Sequence, residues 1–212
     1  MKLIKRSLGL IALLLAFAVP VHAANEVLIK DGVTGLLFSN STEYNATDLG
    51  DIENTDNTPT AVQLDLGGTV GNGTARQATK ADLGLRRAIS YNVTASLEFA
   101  TAPAPGDTVD FYWAPSHSAT AGKGNMGQTT GVDGAYAGGA QTLAEGLKKL
   151  MFIGSLVLSE DATTFVHTGF IGVFSPSDRY GNLVVHNNGA DDYDSDAIQM
   201  AVAFDPIIIE IQ

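Results

Sequence analysis

The chain has 212 residues, of which 45% are hydrophobic, so it is long enough to bury a substantial core as one large domain or two small ones. A formal net charge of −11 argues against binding to nucleic-acid phosphate or anionic lipid, and the absence of cysteine excludes both a disulfide framework and a thiolate metal site. Charged residues are only 17% of the chain and glycines number 23, a balance that suits many short strands joined by tight turns.

Residues 1–23 read as a secretory signal peptide. Lys2, Lys5 and Arg6 form a basic start, Leu8 to Val19 is an almost unbroken apolar run, and Val21-His22-Ala23 has the small-x-small form of a cleavage site. The run is shorter than the ~20 apolar residues that span a bilayer, and no later segment is long enough to do so. The expectation is therefore an exported chain, placed in the periplasm, at the cell surface or outside the cell, with residues 24–212 as a single domain. Removing the segment leaves nine bases against 23 acids, a net of −14.

Glu26–Lys30 and Val33–Phe38 flank Asp31-Gly32, a pair that favours a hairpin turn. Ser39–Pro59 is rich in Asn, Thr and Asp, has little to bury and reads as a long exposed loop. Ala61–Leu66 alternates, with Val62, Leu64 and Leu66 on one face. Arg76, Lys80, Arg86 and Arg87 concentrate the bases and read as a solvated strand edge guarded by charge.

The clearest strand is Ile89–Ala100. Ile89, Tyr91, Val93, Ala95, Leu97 and Phe99 fall on one face and Ser90, Asn92, Thr94, Ser96 and Glu98 on the other. A proline-glycine turn and a second β-rich run, Thr108–Trp113, follow, and the two runs together predict a long hairpin at the centre of an antiparallel sheet. Pro115–Gly139 has no apolar period and reads as an elaborated surface loop.

Leu143, Ala144, Leu147, Leu150 and Met151 then recur at helical spacing behind a Thr142/Glu145 capping box. They predict one short helix, placed across an open end of the sandwich. Phe152–Leu158 is continuously apolar, as in a strand buried on both faces. Thr164–Phe174, Leu183–His186, Ile198–Phe204 and Ile207–Ile211 complete the set. About ten strands, one helix and no βαβ alternation predict an all-β fold, a two-sheet antiparallel β-sandwich of jelly-roll-like form.

Chemistry is scarce. Gly122-Lys123-Gly124-Asn125-Met126-Gly127 matches GxGxxG but lacks the strand before and helix after that a dinucleotide site requires. His117, His167 and His186 show neither zinc-ligand spacing nor a nucleophile elbow nearby. The best candidate is the acidic loop of Asp191, Asp192, Asp194 and Asp196, whose alternate carboxylates can converge on calcium. Its EF-hand register fails, with Ala197 at the glycine position and Ala203 at the bidentate glutamate position, and the competing reading is a solvated loop that keeps the surface soluble. Tyr112 and Trp113 are candidates for an aromatic sugar platform, with a packing role as the alternative. Asn40, Asn45, Asn72 and Asn92 head Asn-x-Ser/Thr sequons, relevant where the host glycosylates.

The stretch from LKKLMFIGSLVL through FIGVFSPSDRYGNLVVHN to DSDAIQMAVAFDPIIIEIQ, roughly Leu147–Gln212, resembles a group of small β-proteins found among phage and prophage structural genes. The resemblance rests on apolar strand patterns and a Phe-Asp-Pro-Ile ending and carries no catalytic signature. It implies a virion surface or decoration component with a sandwich fold. An export segment departs from that pattern, since such proteins normally assemble in the cytoplasm.

The sequence therefore predicts a non-enzymatic structural or assembly protein that works through protein partners or self-association, either in a virion or in an exported surface layer. The alternative is a secreted β-sandwich module that binds glycan or calcium. Exposed aromatics on one sheet face favour the binding module, and self-assembly of the purified protein favours the structural role.

Overall fold

Alternating apolar residues build two sheets that face each other. The computed structural model describes residues 33–45, 52, 58–68, 70–159, 166–189 and 191–207, all within one compact unit, Lys30–Ile208. The signal segment, the Glu26–Lys30 strand with its Asp31-Gly32 turn, and the closing strand beyond Ile207 lie outside the described residues.

In chain order the strands are β1 (Leu36–Ser39), β2 (Thr60–Gln63), β3 (Ala75–Gln77), β4 (Ala81–Asp82), β5 (Tyr91–Glu98), β6 (Thr108–Ser116) and β7 (Gly134–Ala135). A short helix, α1 (Leu143–Leu147), precedes β8 (Met151–Val157), β9 (Val166–Phe174), β10 (Tyr180–Asn188) and β11 (Ala201–Pro206). One sheet has the order β2-β1-β11-β5-β9 and the other β7-β3-β10-β6-β8, with β4 also paired to β10. β1 and β2 run parallel, while the other ladders between described strands are antiparallel. The fold is thus an all-β two-sheet sandwich.

The alternation of β5 is realised: Tyr91, Val93, Ala95, Leu97 and Phe99 are all buried in the core between the sheets. Two residues depart from it: Ile89 lies outside the strand and is 71% exposed, and Ser96, on the polar face, is fully buried and donates to Gln199 O. The expected β5–β6 hairpin does not form. β5 pairs with β11 and β9, while β6 lies in the opposite sheet between β10 and β8. Residues 99–107 therefore carry the chain across the sandwich, and Val109, Phe111 and Trp113 of β6 face the buried side of β5 through the same core. At the centre, Trp113 contacts Phe38, Phe174 and Phe204 at ring-centroid distances of 6.4, 5.4 and 5.7 Å.

The helix starts where the sequence placed it but ends at Leu147, so that Leu150 lies beyond it and Met151 opens β8. Thr142 Oγ1 accepts from the Glu145 N–H while the Glu145 carboxylate accepts from the Thr142 N–H, a reciprocal capping box. Its position differs from the expectation. Leu147 and Leu150, with Tyr136, pack on Ala75, Ala114 and Val184, so the helix and its loop cover the outer face of the second sheet rather than an open end. The loop after Ser39 also buries more than its composition suggests, since Tyr44 and Ile52 pack against Leu37, Ala201 and Ala203 on the outside of the first sheet.

The basic segment is not a guarded edge. Arg76 holds Asp133 through two 2.8 Å hydrogen bonds, with Asp65 at 3.6 Å, and Lys80 is drawn into a loop. Arg86 and Arg87 remain exposed.

Candidate interaction surface

β8 and β9 are the last strands of their respective sheets, and they lie on the same side of the sandwich. Three glycines allow their backbones to approach. A Cβ on Gly154 would overlap the Ile171 carbonyl oxygen, one on Gly172 would lie 3.1 Å from Ile153 O, and one on Gly169 would lie 2.7 Å from Leu156 Cδ1. Both flanking ladders bulge at this level, between Phe111 and Tyr112 and between Val93 and Thr94. Glycines inside strands mark such close approaches, and that is the signal in the sequence that points to the seam.

Either side of the seam is apolar and open. Phe152 and Val157 on β8 are 58% and 66% exposed, and Phe170 and Val173 on β9 are 60% and 57% exposed. The continuous apolar run of β8, read as buried on both faces, is therefore buried on one face only. β8 carries no ionisable residue, and the single one on β9, His167, is buried. Phe152 and Val157 stand in register with Tyr112 and Thr108 on the second sheet, and Phe170 and Val173 with Thr94 and Asn92 on the first, so apolar side chains are exposed on both sides of the seam, a feature that marks interaction surfaces.

Beside Phe152 the outer face of the second sheet carries a polar row. Ser155, Asp110 and His186 stand in one register line across β8, β6 and β10. Ser155 Oγ donates to Asp110 Oδ1 at 2.5 Å, and His186 Nδ1 lies 3.8 Å from Asp110 Oδ2, beyond hydrogen-bond reach. Burial works to raise the Asp110 carboxyl, but the His186 imidazole, Ser155 and Thr108 together hold it below the usual carboxylate range. The serine and the imidazole both address the carboxylate rather than each other, so the row lacks the imidazole-activated hydroxyl that nucleophilic catalysis needs.

The acidic loop disperses its carboxylates among local donors. Asp191 Oδ1 accepts from Thr101 Oγ1 at 2.5 Å, and Asp192 Oδ1 accepts from the Asn72 N–H at 3.2 Å. Asp194 Oδ1 accepts from Ser195 Oγ and the Asp196 N–H at 3.2 Å each, and Asp196 Oδ1 accepts from the Ile198 N–H at 3.3 Å. The last two are Asx-type turns that shape the loop. Among the described residues no three His, Asp or Glu side chains group as a metal would require. The loop's charges are nevertheless felt, because burial first, and then Asp194 and Asp196, push the Glu98 carboxyl above its ordinary value.

The other sequence candidates separate. Trp113 is fully buried and unavailable to a ligand, while Tyr112 is half-buried with its ring 5.4 Å from that of Phe152. His117 is exposed and 3.1 Å from Asp178, and His167 is buried with its ring edge-on to Phe99 at 5.5 Å. Of the sequon asparagines, Asn40 is buried and donates to Asp65, whereas Asn45, Asn72 and Asn92 are exposed.

Fold and surface together define an all-β sandwich whose edge strands β8 and β9 both expose large apolar side chains. No family model, curated protein or solved structure matches the chain.

Proposed function

We propose that the chain is a non-enzymatic structural or assembly protein, a virion surface component or an exported surface-layer protein, that acts through protein–protein contacts made by the exposed apolar side chains of β8 and β9. The observation that carries this reading is the set of Phe152, Val157, Phe170 and Val173, each more than half exposed on two adjoining strands without an accessible charge, in a chain whose net charge is −11. The four side chains carry no charge of their own, so covering them costs no ionic desolvation. Burying a large apolar side chain fully contributes about 1.5–3 kcal/mol, so even partial burial of four would support association.

The test is sedimentation and electron microscopy of the purified protein, alongside a Phe152→Asp/Phe170→Asp variant. Both side chains already face solvent, so the variant should melt near the wild-type temperature while losing association. A protein that stays monomeric at high concentration, and whose variant enters its native particle or layer as well as the wild type, would overturn the proposal.

A second reading is favoured by Phe152 standing half-open against Tyr112 next to Asp110 and His186, an aromatic face beside hydrogen-bonding groups of the kind that suits a saccharide. Saturable glycan binding abolished by Phe152→Ala would support it. Self-association that depends on Phe152 and Phe170, without glycan binding, would exclude it.

A further inference from the structure

Lys80 lies between β3 and β4, and its ammonium reaches under the loop that follows β6. Four oxygens surround Nζ: Ser116 Oγ at 2.9 Å, Ser118 O at 2.9 Å, Thr120 O at 2.6 Å and Lys123 O at 2.8 Å. An ammonium has only three N–H donors, so four oxygens at this range form a shell around a charge rather than a one-to-one set of hydrogen bonds. Three of the four are main-chain carbonyls, which cannot titrate away.

The shell is built by the loop itself. His117 N–H donates to Gly124 O at 3.2 Å, Lys123 N–H donates to Thr120 O at 3.1 Å, and Ser116 forms a bridge with Asn125. Asn125 Nδ2 donates to Ala121 O at 2.7 Å and to Thr129 O at 2.8 Å, and Gly124 takes a left-handed turn at φ 69°. Ser116 Oγ directs its own proton toward Ser118 O or Lys123 O, 3.2 Å from each, which leaves lone pairs facing Nζ. None of these bonds involves Lys80. The carbonyls therefore converge for reasons of their own and would repel one another if the centre were empty.

We propose that Ser116 Oγ and the carbonyls of Ser118, Thr120 and Lys123 are a binding site for a small monovalent cation of ammonium or potassium size, which this chain fills with its own Lys80. The tethered charge takes the place of an ion that would otherwise be drawn from solution. Order in residues 117–125 is then independent of the ionic medium.

The experiment compares wild type, Lys80→Ala, which empties the site, and Lys80→Met, which plugs it with an apolar stem. Melting temperature and amide exchange of residues 117–125 are read in ammonium, potassium and tetramethylammonium chloride at equal ionic strength. Lys80→Ala should melt lower than wild type and exchange faster in 117–125. Ammonium and potassium should reverse both changes saturably, as binding to the native state requires, while tetramethylammonium should not. Lys80→Met should stay low in all three salts. An equal response of Lys80→Ala to all three salts, or a Lys80→Ala variant that melts like the wild type in tetramethylammonium chloride, would overturn the proposal.

Should Lys80→Ala fail to fold, amine acylation of the wild type followed by peptide mapping decides the matter. Lys80 should be protected against labelling while the exposed Lys123, Lys148 and Lys149 react. Equal labelling would overturn the proposal.

Discussion

Gly181 and Trp113 form a matched pair whose coupling can be measured. Gly181 stands opposite Pro115 in the β10–β6 ladder, and the Trp113 indole, two residues away on the same face, lies across it. A Cβ at Gly181 would overlap indole carbons and lie 2.6 Å from Nε1. Trp113 is fully buried against three phenylalanines and has no room to withdraw. Gly181→Ala gains about 0.4–1 kcal/mol by restricting the unfolded chain, but overpacking a filled core costs about 1–3 kcal/mol, so the steric effect wins.

Trp113→Phe deletes the ring atoms that would be struck. It also removes Nε1, a buried donor without a hydrogen-bond partner, which offsets part of the packing it loses. In that background Gly181→Ala should cost little, giving a coupling of about 0.5–3 kcal/mol. A 1 kcal/mol change moves the melting temperature by about 2–4 °C in a domain of this size. Denaturant unfolding by circular dichroism measures all four proteins on one scale. Intrinsic fluorescence gives an independent transition for the two that keep the single tryptophan. Strictly additive effects, or a Gly181→Ala variant as stable as wild type, would refute the reasoning.

Glu98 gives a pH test. Its folded-state carboxyl is raised by burial and by Asp194 and Asp196, so the ionised form is disfavoured in the native state and stability falls as pH rises through the raised value. Glu98→Gln should therefore stabilise the protein at neutral pH, with the advantage shrinking as pH drops toward the ordinary glutamate range; a difference constant with pH would contradict this. The aspartate loop gives a metal test. With each carboxylate turned to a separate donor, millimolar calcium should leave the melting temperature unchanged. A bound ion at a hundredfold excess over its dissociation constant would instead stabilise by about 2.7 kcal/mol, and a calcium-dependent rise abolished by Asp194→Ala would assign the ion to the loop.

Local order alone determined several features. The alternation of Tyr91 through Phe99 named the buried face of β5 residue by residue, because side chains on a strand alternate wherever the strand is placed. The Thr142/Glu145 box placed the helix start, since all of its hydrogen bonds lie within four residues. Turn-rich, all-β content likewise predicted the sandwich.

Partnership was another matter. Alternation says which face is buried but not against what, so β5 and β6 read as neighbours in one sheet although they face each other across the core. The apolar run of β8 did not reveal that Phe152 and Val157 stand in solvent, because an uninterrupted run looks the same whether its second face meets the core or solvent. The bases near β3 looked solvated because their partners lie far along the chain, 57 residues away for Arg76 with Asp133 and 36 to 43 for Lys80 with its oxygens. Those contacts form only after the sheets close and bring the loops over them, and for that reason the exposed β8–β9 side chains and the cation nest belong to the tertiary structure alone.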